Sequence, residues 1–116
     1  RFRSCFQLVA FHHPAVSTKI NQTSFCEGCE PVKEMDWPFK EIGIDAVFSG
    51  HAHWAERYTH NGMNYWTVGN TTDDLDLDNF KRNENSKFFK SQSGYLLGEV
   101  GPGWLAVAFK FMNEKS

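Results

Sequence analysis

The sequence predicts a single α/β (α+β) domain in which strands dominate and helix is scarce. Three observations lead there. Several short apolar runs are bounded by Gly, Pro and Asn, as strands are. An Asn-Gly pair sits between two alternating runs, which is the strongest short hairpin signal. Only one stretch carries the start and stop marks of a helix, and it is short. The chain has 116 residues, enough for one domain with a real core.

The elements are expected in this order. Phe6 to Phe11 is an apolar strand, read as buried on both faces and stopped by Pro14 after His12-His13. Residues 15–34 are polar and turn-rich, so they read as a surface loop. Asp36 is a plausible N-cap for a short helix from Trp37 to Ile42, with Pro38 in its first turn and Gly43 as its stop. Asp45 to Ser49 is a second buried strand, running into Gly50-His51-Ala52-His53. Glu56 to His60 and Met63 to Val68 form a hairpin around Asn61-Gly62. Residues 71–93 read as a long polar loop. Gly94 to Val100 and Trp104 to Met112 form a closing hairpin. It places Leu105, Val107, Phe109 and Phe111 on one face.

Composition removes some function classes. Twelve basic and fourteen acidic residues leave a net charge of −2. A charge-driven binder of nucleic acid or anionic membrane needs a basic excess, which this chain lacks. The longest stretch free of strongly polar residues, Gly101 to Phe109, is far too short to span a bilayer. The chain opens Arg1-Phe2-Arg3 without Met, so it is expected to be a piece of a longer polypeptide. Cys26 and Cys29 read foremost as a small loop disulfide, with free thiols or redox and metal chemistry as alternatives. Cys5 has no obvious partner. Asn21 and Asn70 each begin a glycosylation sequon. With the paired cysteines they point to a secreted or lumenal glycoprotein. Asp74, Asp76 and Asp78 resemble the start of a calcium loop but lack its later Gly and acidic ligand, so they read as solvated.

The histidines carry the chemistry. Four of the five come as His12-His13 and His51-x-His53, each pair directly after an apolar strand. Strand ends hold their first loop residues rigidly, and layered α/β folds form sites there. Neutral imidazole is a ligand for Zn, Fe and Mn. His12, His51 and His53 are therefore the expected metal ligands. A coiled loop would let the rings of His51 and His53 reach different ions. His13 should point away from His12, and is read as a catalytic group toward substrate or a support for a ligand. His60, beside the turn, reads as structural.

Val-Ala-Phe-His-His-Pro, the Trp-Pro-Phe segment, Gly-His-Ala-His with the following Glu-Arg, and Thr-Val-Gly-Asn together resemble the second half of the calcineurin-like metallophosphoesterases. The purple-acid-phosphatase-like branch is the nearest in pattern. The resemblance implies the C-terminal half of a four-layer metallophosphoesterase β-sandwich flanked by helices, with residues 1–116 as part of a single domain. It implies two divalent or trivalent ions (Fe, Zn or Mn), shared with an N-terminal half outside this chain. The implied activity is phosphate-monoester hydrolysis by a metal-bridged hydroxide. Arg57 and Tyr58 are candidate substrate contacts, although Glu56 and Arg57 read first as anchors of the loop. Trp54 is expected near the approach to the site, and Trp37 in the core. The family's Asp-x-His, Gly-Asp-x-x-Asp and Gly-Asn-His blocks are missing from the sequence. The alternative is accordingly a catalytically inactive scaffold or binding protein of the same fold. A third reading is an independent small metal-binding β domain.

Overall fold

A computed structural model describes residues 5–18, 32–69 and 84–112. Seven strands fill most of these residues: β1 (Leu8–Phe11), β2 (Ala46–Ser49), β3 (Ala55–His60), β4 (Met63–Val68), β5 (Ser86–Lys90), β6 (Gly94–Gly101) and β7 (Trp104–Phe111). The first five build one sheet in the order β1-β2-β4-β3-β5, and the last two pair with each other. Strands β1, β2 and β4 run parallel, while β3 and β5 run antiparallel to their neighbours. The domain is thus mixed α/β in class, mostly sheet and almost without helix.

The Asn61-Gly62 hairpin forms as expected. Both residues adopt left-handed backbone, with φ of 50° and 75°, as a two-residue turn matched to strand twist requires. The closing hairpin also forms, with Gly103 at φ 76° in its turn. Its half-buried residues are Leu105, Val107, Phe109 and Phe111, as the alternation implies. Phe109 packs against Trp66 of β4 and Phe88 of β5, with ring centroids 5.3 and 5.1 Å apart. The hairpin therefore lies against one face of the larger sheet. The opposite face carries the core: Val47, Tyr58, Met63 and Tyr65, closed over by Ala15 and Phe39.

Three expectations are corrected. The segment 37–42 is not a helix. A single 3-10 turn, Lys33–Met35, precedes it, and Asp36 ends that turn instead of capping a helix. Residues 39–43 are a chain of turns stopped by Gly43 at φ 89°. Asp36 is drawn away by tertiary partners, since Tyr65 donates to its carboxylate at 3.1 Å and His60 Nε2 lies 3.0 Å from it. Strand β1 is not buried on both faces, for Leu8 is 48% exposed and Ala10 is exposed too. It is the edge strand of this sheet, and the hairpin reaches only the β4–β5 side. Finally, residues 86–90 are a strand within the stretch expected to be loop. Two flanking lysines mask Phe88 and Phe89, which pack on separate aromatic neighbours. One five-stranded sheet with a hairpin against it, as the described residues form, is compatible with the expected β-sandwich.

Among the described residues, no helix is long and apolar enough to cross a membrane. Asn21, Asn70, Cys26, Cys29 and the Asp74–Asp78 segment lie outside the described residues. Cys5 is a free, exposed thiol.

Candidate metal centre

The site follows from strand order and register. Strands β1 and β2 are adjacent and parallel, so both end at the same edge of the sheet. Phe11 stands beside Ser49, and the next pair is fixed by Gly50 N–H donating to the His12 carbonyl at 3.0 Å. The residues that follow, His12-His13 and His51, therefore meet at one edge, as the strand-end rule anticipates.

Three imidazoles converge there. The nearest ring nitrogens of His12, His13 and His51 all lie within 4.8 Å of one another. His12 Nε2 and His51 Nδ1 are 3.0 Å apart, a hydrogen bond whose donor depends on the tautomers. The His13 and His51 rings are tilted, with centroids 4.0 Å apart. A tetrahedral ion with bonds of about 2.0–2.1 Å holds its ligand nitrogens about 3.3 Å apart. The His12–His51 spacing is already near that value, and His12 and His13 are exposed. Bringing all three ring nitrogens, which lie within 4.8 Å of one another, to that spacing would give a three-nitrogen site with a fourth position left to another ligand. The His13 imidazole is held below its ordinary pKa, through lost solvation and then repulsion from His51 and His12. A neutral ring is the form that binds a metal.

His13 joins this cluster, contrary to the expectation that it would point away. Alternation holds only inside a strand, and β1 stops at Phe11, so the bend at residues 12–13 swings both rings to one side. The sequence signal was present in the adjacent His-His, but strand geometry was applied one residue too far. The second pair divides the other way. Ala52 N–H donates to Gly50 O at 2.7 Å, coiling the loop tightly. His51 takes φ 65°, a left-handed conformation that costs a non-glycine residue about 1 kcal/mol or more. His53 falls outside the three-ring group, and its buried Nδ1 has no hydrogen-bond partner among the described residues. Gly69 packs behind this coil, where an added Cβ would come within 1.8 Å of the Ala52 carbonyl oxygen.

The neighbouring candidates have other surroundings. Glu56 is fully buried, and its carboxylate accepts from Thr18 N–H at 2.9 Å, Ser86 Oγ at 2.6 Å and the Thr18 hydroxyl. It ties β3 to the loop after β1 and to β5. Arg57 lies over the Trp66 ring at 5.8 Å and donates to Asn64 at 3.3 Å. Tyr58 belongs to the core cluster. Two aromatic expectations are reversed. Trp54 is 1% exposed and packs on Phe89, whereas Trp37 is 57% exposed at the other end of the sheet. Trp54 is locked in because the coiled 50–54 loop turns it inward.

No family model matches the chain, and no curated protein sequence is similar to it. Among solved structures it matches one described as GAP50, the anchor in the inner membrane complex of Plasmodium, with a TM-score of 0.73 at 20% identity. The match covers 94% of this chain and 33% of that one, so the chain spans about a third of its structural neighbour. These findings correct the family resemblance read from the sequence. The histidine and glycine motifs are not backed by any family match, and the shared fold leads to an anchor protein. A likeness at this identity establishes a common fold and leaves the chemistry to be argued from the residues.

Proposed function

We propose that the chain is part of a non-catalytic anchoring or scaffold domain, in which His12, His13 and His51 grip a single divalent transition-metal ion. The observation that carries this reading is the composition of the cluster: three imidazoles within 4.8 Å, and no carboxylate among the described members. Two-ion hydrolysis holds its metals about 3.5–4 Å apart and clamps both the attacking and leaving oxygens. A compact set of three neutral nitrogens suits one ion and supplies no anionic bridge for a second. The fold match to a protein described as an anchor supports the same reading. Bound at the ends of β1 and β2, the ion acts as a staple between two strands and adds its binding energy to stability.

Further polypeptide would complete the scaffold, since the neighbour is about three times as long as the matched region. A secreted or lumenal setting goes with this reading. The competing hydrolase reading draws on the open position at the exposed His12 and His13. It is tested with p-nitrophenyl phosphate and the chain loaded with zinc, iron or manganese. The expected result is no turnover above that of the free ions. Turnover that disappears in His51→Ala would overturn the proposal.

A further inference from the structure

A second site lies at the opposite end of the sheet from the histidine cluster, around the start of β4 and the Asn61-Gly62 turn. A cleft of about 390 Å³ opens there, lined by Trp37, Phe39, Lys40, Glu41, Asn61 and Tyr65 among others. Its volume falls in the range of small-molecule sites. We propose that this cleft binds a neutral sugar ring, stacked on Trp37 and held by Lys40, Glu41 and Asn61.

Trp37 is the first reason. A tryptophan 57% exposed leaves a large apolar face in water without a cover. The ring is nonetheless fixed. Its Nε1–H donates to the Glu34 carbonyl at 3.0 Å, and it stacks near Phe39 with centroids 6.3 Å apart at 27°. The indole nitrogen is spent on this anchor, so the ring offers only its flat face to a ligand. A preset platform loses little freedom when something stacks on it.

The polar rim is the second reason. Lys40 lies across the turn, close enough that a Cβ on Gly62 would meet its Nζ at 2.6 Å. Neither its ammonium nor the Glu41 carboxylate has an ion-pair partner among the described residues. The Asn61 side-chain amide lies 3.1 Å from His60 Nε2, which itself faces the Asp36 carboxylate at 3.0 Å, so the amide stands at the rim as a further polar group. The rim thus offers one cationic donor, one anionic acceptor and one amide group beside an aromatic plane. The charges cancel, so a strongly anionic or cationic ligand gains little net attraction. A pyranose matches on both counts. Its axial C–H face is apolar and flat enough to stack, and its equatorial hydroxyls both donate and accept.

The free sugar and a protein-linked glycan share this chemistry, and a titration separates them. The ¹⁵N-labelled full chain is titrated with methyl β-glucopyranoside, N-acetylglucosamine and N-acetylglucosaminyl-asparagine, following the tryptophan indole N–H signals. The Trp37 signal should shift with a dissociation constant of about 1 mM, the strength of one stacked ring with a few hydrogen bonds. Trp37→Ala should weaken binding by about tenfold or more, equivalent to about 1.4 kcal/mol. Trp37→Phe should lose less, and Lys40→Gln should retain the stacking shift with reduced affinity. Tighter binding of the asparagine-linked sugar identifies a glycoprotein as the source, and equal binding identifies the free sugar. The proposal is overturned if no sugar moves the Trp37 signal. It is also overturned if Trp37→Ala binds unchanged, or if only acetate or inorganic phosphate binds.

Discussion

The left-handed His51 shows how a single residue trades backbone comfort for position. Its φ of 65° costs energy that a glycine would avoid. His51→Gly should leave the metal-free chain at least as stable as the wild type, and should abolish the stabilisation that zinc confers. Denaturant midpoints with and without zinc read both effects. Glu56 is the reverse case, a buried group whose worth is structural. In Glu56→Gln an amide N–H₂ faces donors from Thr18 or Ser86, so one buried donor loses its acceptor. The expected loss is about 1–3 kcal/mol, measured by urea unfolding. Tyr65 sets an alkaline limit. Burial, then the Asp36 charge and its hydrogen bond, raise the phenol well above its ordinary value of 10.0. The folded chain thus holds this proton more tightly than the unfolded chain. Its contribution is complete below pH 10.0 and is lost as the pH climbs through the higher folded value. Tyr65→Phe should flatten this alkaline part of the stability profile.

At the scale of elements, the parallel pair β1–β2 makes the site and the glycine at position 69 maintains it. A methyl group there would strike the Ala52 carbonyl, a backbone atom that moves only with its loop. Gly69→Ala should therefore lower stability by about 3 kcal/mol and weaken zinc binding at the same time, because His51 belongs to the displaced loop. Calorimetry on the variant measures both. The sequence was most legible where local chemistry decides the structure. Asn61-Gly62 dictates its turn, and the alternation of Leu105 to Phe111 dictates a face. It was least legible where distant partners decide. Asp36 carries every mark of a helix cap, yet Tyr65 and His60 recruit it from across the fold. Ser86–Lys90 has too few apolar residues to announce a strand, and becomes one because the exposed edge of β3 is there to pair with. That the His pairs follow two apolar strands was legible. Which three rings meet was not, because that depends on where β1 ends and how tightly residues 50–52 coil.

At the scale of the whole molecule, the described residues form a five-stranded sheet with its core on one face and a two-stranded hairpin against part of the other. Phe109 is the keystone of that second contact, touching Trp66, Phe88 and Phe111. Phe109→Ala should cost roughly 2 kcal/mol, below the range for a fully buried phenylalanine because the site is only half covered. Thermal unfolding followed by near-ultraviolet circular dichroism would report it. One edge of the larger sheet carries the three imidazoles and the other end carries the Trp37 cleft. A chain that matches an anchor protein in fold would thus hold a metal staple at one end and a binding surface at the other. The central claim is the single-ion site built from His12, His13 and His51, and native mass spectrometry of the zinc-loaded chain tests it most directly. One zinc per chain is predicted, kept in His53→Ala and lost or greatly weakened in His13→Ala. Two zinc ions per chain, or a single ion that survives His13→Ala and vanishes in His53→Ala, would contradict it.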